Sequence, residues 1–398
     1  MLRKIDEMTP DEIFLNCISA HLRGETVAAE LSEDGWQRLI RLAQEQKMLP
    51  MIFETAGGSM PEALRLGCKK QVRRLVAAQT ARTAEFLSVY AALSDAGISP
   101  VVVKGIVCRA LYPKPDLRSS ADEDLYIPLG QYPAFHEKML ELGFQAGAPD
   151  YKNSHEARYT RNGLLIEGHW ELFPRDSSAL NALNRYNAGF FARAQVRHIE
   201  GARLLTLDDT DHMSFLLLHA YKHFINSGVG LRQICDIALW AQAYDIDWQR
   251  VKDTMSAIGG EYFAAAIFDA AEKYCGLSLP GIWPEANCTA LIEDALSGGV
   301  YGSADMSRRH SGTMTLSAVE SAYEKKAHIP LVRTLFPNRA VMEENFPWVK
   351  KSAAALPLAW SVRIIRYLAR QGEGNSAADS VKLGAQRTRL LREYKIIK

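Results

Sequence analysis

The chain has 398 residues, and its 47 Lys and Arg against 46 Asp and Glu give a formal net charge of +1. That length exceeds one small core, and no apolar run approaches the roughly 18 residues a membrane span requires, so a soluble multi-domain protein without membrane association is expected. Balanced charge excludes the global positive field that dominates nucleic-acid binding and leaves any anion site local. Met1-Leu2-Arg3-Lys4-Ile5-Asp6-Glu7 lacks the apolar stretch of a signal peptide, which makes the cytoplasm the expected compartment. Cys17, Cys68, Cys108, Cys235, Cys275 and Cys288 show no CxxC pair or metal-ligand spacing and read as reduced core residues.

In chain order, apolar residues recur at three- and four-residue spacing in 10–23, 33–48 and 63–95, which predicts a helical N-terminal region over 1–95 that packs on the core as a cap. The pattern then changes. Pro100-Val101-Val102-Val103 predicts a short strand, Lys104-Gly105 follows it, and a helix is expected over 106–112; Asp124-Leu125-Tyr126-Ile127, closed by Pro128, predicts a second strand. Ala157-Arg158-Tyr159-Thr160 and Leu164-Leu165-Ile166 flank Asn162-Gly163, a dipeptide suited to the φ > 0 turn of a tight hairpin. A second hairpin is expected from Arg197-His198-Ile199 and Arg203-Leu204-Leu205 around Glu200-Gly201. From Asp208 the helical period returns over 209–226, 231–244 and 247–276, with weaker segments to a helix near 357–370, then a Gly/Ser-rich loop over 371–378. The basic tail with Lys382, Arg387, Arg389, Arg392, Lys395 and Lys398 reads as a solvated terminal helix. The expected fold is α+β: a small mixed sheet in an α/β core over 96–207, flanked by the N-terminal helices and a C-terminal helical domain over 208–398.

Asp122-Glu123-Asp124 carries the chemistry. In a strand, residues i and i+2 share a face, so Asp122 and Asp124 can converge on one cation, and Mg²⁺ favours such oxygen ligands; alone, Asp-x-Asp equally marks a solvated strand end. Glu167, His169 and Glu171 fall on one face of a later strand, with Ile166, Trp170 and Leu172 on the other. That face suits an edge strand facing water or a third metal carboxylate. Lys104-Gly105 lies where a strand gives way to a helix, a place where free N–H groups favour phosphate and Gly lets the backbone approach a ligand; simple turn chemistry is the other reading.

Val103-Lys104-Gly105, Leu111-Tyr112-Pro113, Leu117-Arg118, Asp122-Glu123-Asp124-Leu125 and Glu167-Gly168-His169-Trp170 together resemble the active-site pattern of an uncharacterised bacterial nucleotidyltransferase family of the DNA polymerase β-like superfamily. The likeness extends to Trp36 through Pro50 and to the blocks Leu218-His219-Ala220-Tyr221-Lys222-His223 and Leu231-Arg232-Gln233-Ile234-Cys235-Asp236. It implies a nucleotidyltransferase fold and an enzyme that moves a nucleoside monophosphate from an NTP to a hydroxyl or phosphate acceptor, releasing pyrophosphate. Asp122, Asp124 and Glu167 would hold Mg²⁺ or Mn²⁺, and Glu167 would help activate the acceptor. Lys104, Gly105, Arg118, His169, Lys222 and His223 would contact nucleotide or phosphate.

The acceptor, a small molecule, sugar, peptide or protein, is not named by any side-chain pattern, and nucleic acid is disfavoured by the charge balance. His219 and His223 also have zinc-like spacing, with a cleft-facing polar stripe as the preferred reading. Arg232 and Asp236, at i and i+4, predict an intrahelical ion pair. The superfamily carries Gly-Gly or Gly-Ser in the phosphate loop, nearer the carboxylates, where this chain has Lys104-Gly105. That departure motivates the alternative of an inactive nucleotide- or partner-binding module on the same fold.

Overall fold

The computed structural model describes residues 8–278, 281–299, 306–324, 352–369 and 377–398, with single positions between 336 and 349. The helices α1 (Pro10–Arg23), α2 (Glu33–Glu45), α3 (Leu49–Ala56) and α4 (Glu62–Asp95) precede the sheet. Then come β1 (Val101–Val103), α5 (Gly105–Arg109), β2 (Glu123–Tyr126), α6 (Tyr132–Glu141), β3 (Glu156–Arg161), β4 (Leu164–His169), α7 (Ser178–Asn181), β5 (Gln195–Ile199) and β6 (Ala202–Thr206). The remainder is helical: α8 (Asp209–Asn226), α9 (Leu231–Ala243), α10 (Trp248–Ala257), α11 (Glu261–Cys275), α12 (Thr289–Gly298), α13 (Met306–Glu324), α14 (Leu356–Ala369) and α15 (Ala377–Glu393). The architecture is the expected α+β class. No helix among the described residues is long and apolar enough to cross a membrane.

The six strands form one mixed sheet in the order β3-β4-β2-β1-β6-β5. β1 is interior, and all three of its valines are buried, as a strand covered on both faces requires. It runs antiparallel to β2 and parallel to β6, while β2 runs parallel to β4. Both expected hairpins form, β3–β4 and β5–β6. Their turns hold Asn162 and Gly163 at φ +50° and +79°, and Glu200 and Gly201 at +50° and +77°, the double positive φ that matches the twist of a tight hairpin. β4 is therefore interior, and the edge-strand reading of it is corrected.

One face of β4, with Leu164 and Ile166, is buried. Gly168 lies on the same side, where an added Cβ would stand 2.8 Å from Phe135 Cε1 and 2.9 Å from the Tyr132 hydroxyl, so α6 can sit against the strand only because position 168 has no side chain. Sequence reading passed over α6, although Tyr132, Phe135 and Met139, all buried, follow the i, i+3, i+7 spacing of its inner face. The end of α4 is pinned to the sheet by Tyr90, whose hydroxyl donates to Pro100 O at 3.0 Å and accepts from Leu205 N at 2.9 Å.

Several expectations need correction. The segment 33–48 is not one helix: it breaks after Glu45 and α3 begins at Leu49, where Pro50 suits the first turn. The helix expected over 106–112 ends at Arg109. The stretch 247–276 is two helices, divided at Gly259, which takes φ +68°. The terminal helix is not simply solvated: Arg387 is buried and donates to Asn226 O at 2.7 Å and to Phe224 O at 2.5 Å, and Leu391 and Tyr394 are buried too. The loop expected over 371–378 lies mostly outside the described residues.

One hydrophobic cluster runs through the N-terminal helices, the sheet and the C-terminal helices, from Ile13 to Ile396. Gln46, fully buried, joins the first and last of these by donating to Ala295 O at 2.7 Å.

Candidate active site

Register sets the site. Asp124 on β2 is the partner of Glu167 on β4, and Tyr126 that of His169, so a parallel pair of strands brings these two carboxylates side by side. Asp122 lies just before β2, partly exposed and with no hydrogen-bond or ion-pair partner among the described residues, and its charge acts on Glu167. Ligand atoms of Asp124, Glu167 and His169 all lie within 4.8 Å of one another.

Both oxygens of buried Asp124 are engaged. Lys104 Nζ lies 2.9 Å from Oδ2, and His169 Nε2 3.0 Å from Oδ1. Burial alone would raise its pKa, but the Lys104 ammonium and His169 outweigh that and hold the carboxyl well below the usual range. Glu167 behaves oppositely: burial first, then the charges of Asp124, Glu156 and Asp122, push its pKa up. Arg158, its partner on β3, meets it at 2.9 Å. Two facing carboxylates whose ligand atoms lie this close are a set that a divalent cation favouring oxygen ligands would suit; the residues present fit Mg²⁺ or Mn²⁺.

Glu123, between the aspartates, points to the other side. It accepts from Ile106 N at 2.7 Å and pairs with buried Arg109 at 3.0 Å. It thus takes one of the N–H groups at the start of α5 that the sequence offered to phosphate. Gly105, at φ +41°, is required here, because a Cβ would fall 1.9 Å from Glu123 Oε2.

Lys104 stands between β1 and α5 with φ +54° and ψ −130°, outside the regions an L-residue prefers. Its N–H donates to His212 Nε2 at 3.2 Å, and its Nζ lies 3.0 Å from His219 Nε2. The i, i+4 pair on α8 brings His223 Nε2 to 3.2 Å from His219 Nε2, and Gln233 Nε2 lies 3.1 Å from His219 Nδ1. Lys104 Nζ, rather than a third zinc ligand, fills the space beside the two imidazoles, in keeping with the polar stripe. Burial pushes His212 down to about 3 and His219 and His223 well below the ordinary value. On the same helix Lys222 is pushed down to about 8, by burial and then by Lys104, against the pull of Glu156, Asp124 and Glu167.

Arg118, expected to contact phosphate, meets a carboxylate in this structure. It is buried, and its Nε and terminal nitrogen meet Asp236 Oδ1 and Oδ2 at 2.7 and 2.5 Å, with the Tyr112 hydroxyl 2.8 Å from Oδ1. The expected Arg232–Asp236 pair is therefore corrected; Arg232 donates to Ser119 O. Glu171 lies beyond β4 and pairs with Arg175. Sequence reading also missed His155, Glu156, Arg158 and His212 beside the site. The first three were accessible, since the hairpin register predicted from Asn162-Gly163 places Glu156 opposite His169; His212 had no local signal. A surface cavity of about 560 Å³ lined by Phe268, Glu272 and Trp283 shares no residue with this cluster.

A mixed sheet with paired carboxylates on adjacent strands and helices on either side is a nucleotidyltransferase-type core. Residues 32–276 match the family described as Uncharacterised nucleotidyltransferase, and the chain belongs to that family. Comparison with curated proteins and with solved structures gives no significant match.

Proposed function

We propose that the protein transfers a nucleoside monophosphate from an NTP to a hydroxyl or phosphate acceptor with release of pyrophosphate. The observation that carries this is the pairing of Asp124 with Glu167, with Asp122 two residues upstream and near enough for its charge to act on Glu167; family membership supports an NTP as donor. Asp122, Asp124 and Glu167 would hold Mg²⁺ or Mn²⁺, which when bound supplies charge neutralisation at the transferring phosphoryl group and an in-line orientation. Glu167, across from Asp124 in the strand register, is the carboxylate of this reading that takes the acceptor's proton. The acceptor oxygen then attacks the α-phosphorus as the α–β bridging bond breaks. Lys104, Lys222, His223 and His169 line the same space and are the phosphate contacts of this reading, whereas Gly105 and Arg118 position backbone around it. The acceptor is a small molecule, sugar, peptide or protein, and six buried free cysteines are in keeping with a reducing cytoplasm.

One observation favours a second reading, a silent nucleotide-binding module: the Lys104 ammonium already neutralises Asp124. A panel of four NTPs with Mg²⁺ or Mn²⁺, followed by thermal shift and pyrophosphate release, separates the two. Metal-dependent release that is lost in Asp124→Asn supports the enzyme. Stabilisation without release supports the module, and no response to any NTP overturns both.

A further inference from the structure

Beside the carboxylates lies a second group of ligand-bearing side chains, two of which, His155 and Glu156, the proposed reaction leaves unused. Glu156, at the start of edge strand β3, is the register partner of His169. His155 precedes it, its carbonyl fixed by the N–H groups of Trp170 at 3.1 Å and Glu171 at 3.2 Å. His155 Nε2 and His169 Nδ1 each lie 3.3 Å from Glu156 Oε2, and ligand atoms of all three residues fall within 4.8 Å of one another.

The protons decide what this cluster can be. Asp124 Oδ1, 3.0 Å from His169 Nε2, can only accept, so Nε2 carries the proton. Nδ1 of this 5 % exposed residue is buried and makes no hydrogen bond, and it faces Glu156 Oε2. A buried ring nitrogen without a hydrogen bond, facing a carboxylate oxygen with a second imidazole beside it, is a geometry that a bound cation would complete. The other Glu156 oxygen is taken by Arg158 at 3.3 Å, which leaves Oε2 for the two imidazoles. A separation of 3.3 Å is also the edge of a tetrahedron with metal–ligand bonds of about 2.0–2.1 Å. A ligating histidine whose other N–H is held by a carboxylate is the usual outer-shell arrangement of such centres, and here Asp124 is that carboxylate.

We propose that His155, Glu156 and His169 Nδ1 bind a first-row divalent transition-metal ion such as Zn²⁺, with a coordination position left open. Two imidazoles and one carboxylate form a set suited to Zn²⁺ and its neighbours rather than to Mg²⁺. The ion would sit across the His169 ring from the oxygen-only position at Asp122, Asp124 and Glu167. The proposal does not rest on the nucleotidyl-transfer reading.

The test is titration of chelator-treated full-length protein with Co²⁺, followed by its visible absorption, and with Zn²⁺ by calorimetry, without nucleotide. One ion per chain with the intense absorption of a low-symmetry nitrogen–oxygen site is expected. Binding should weaken at least about 100-fold in His155→Ala and in the isosteric Glu156→Gln, and about 10–100-fold in Asp124→Asn, which removes only the outer-shell carboxylate. Asp122→Asn should leave it unchanged. Absence of stoichiometric binding would overturn the proposal. So would Co²⁺ binding that survives both His155→Ala and Glu156→Gln but is lost in Asp122→Asn, since that places the ion at the carboxylates alone. These readouts stand apart from pyrophosphate release, so either reading can fail without the other.

Discussion

Lys104 Nζ and Asp124 Oδ2 stand 2.9 Å apart, and the lysine reaches there from a backbone held at φ +54°. A strained residue that places a cation on the central carboxylate is a device of the site rather than of the fold. Asp124→Asn should therefore lower NTP-dependent pyrophosphate release by several kcal/mol of activation, at least about a thousandfold. Far-UV circular dichroism should be unchanged, and retained turnover in this variant would remove Asp124 from the reaction.

Gly105→Ala tests the dovetail with Glu123. The new methyl would collide with Glu123 Oε2, and displacing that carboxylate leaves buried Arg109 without its partner. A loss of about 3 kcal/mol is expected, read as a lower denaturant midpoint with an unchanged slope.

Arg118→Lys tests whether the guanidinium is structural. Asp236 receives two parallel donors and the Tyr112 hydroxyl in a buried setting, a geometry an ammonium does not reproduce. Stability should fall by about 2–4 kcal/mol. A variant of unchanged melting temperature but weakened NTP binding would instead place Arg118 on phosphate.

Lys222 predicts the pH dependence. Its folded pKa, about 8, lies below the ordinary 10.5, so between those values the unfolded chain binds more protons and stability contributed by this group rises with pH. Below pH 8 both states are protonated and the cost of the buried charge is fully present. Relative to Lys222→Met, the wild type should gain about 1–3 kcal/mol between pH 8 and 10.5. Parallel stability curves for the two proteins would contradict this.

How much was legible followed from sequence distance. The hairpins were readable because Asn162-Gly163 and Glu200-Gly201 encode their own turns, and β2 because Asp124 to Ile127 alternates towards Pro128. The approach of Glu167 to the aspartates followed once those strands were assumed to be neighbours. Asp236 was misassigned because an i−4 partner, Arg232, was at hand while its partner in the structure, Arg118, lies 118 residues away. Glu123 was passed over because strand periodicity says which side a residue faces but not that Arg109 and Ile106 wait there. Arg387 was read as solvated because nothing in a basic tail announces that Asn226 and Phe224 present carbonyls to it.

The Arg118–Asp236–Tyr112 contact joins the segment before β2 to α9. Because parting them would strand a buried charge on each side, this seam is a weld and not a hinge. On the proposed reading a triphosphate would enter a frame that stays shut along α9, with room for it made by the long side chains already inside. Rotation of Lys104 away from Asp124, and of Lys222 out of the field of Glu156, Asp124 and Glu167, would exchange internal cations for incoming ones while the backbone holds still, and admission would then be a matter of charge exchange more than of domain movement.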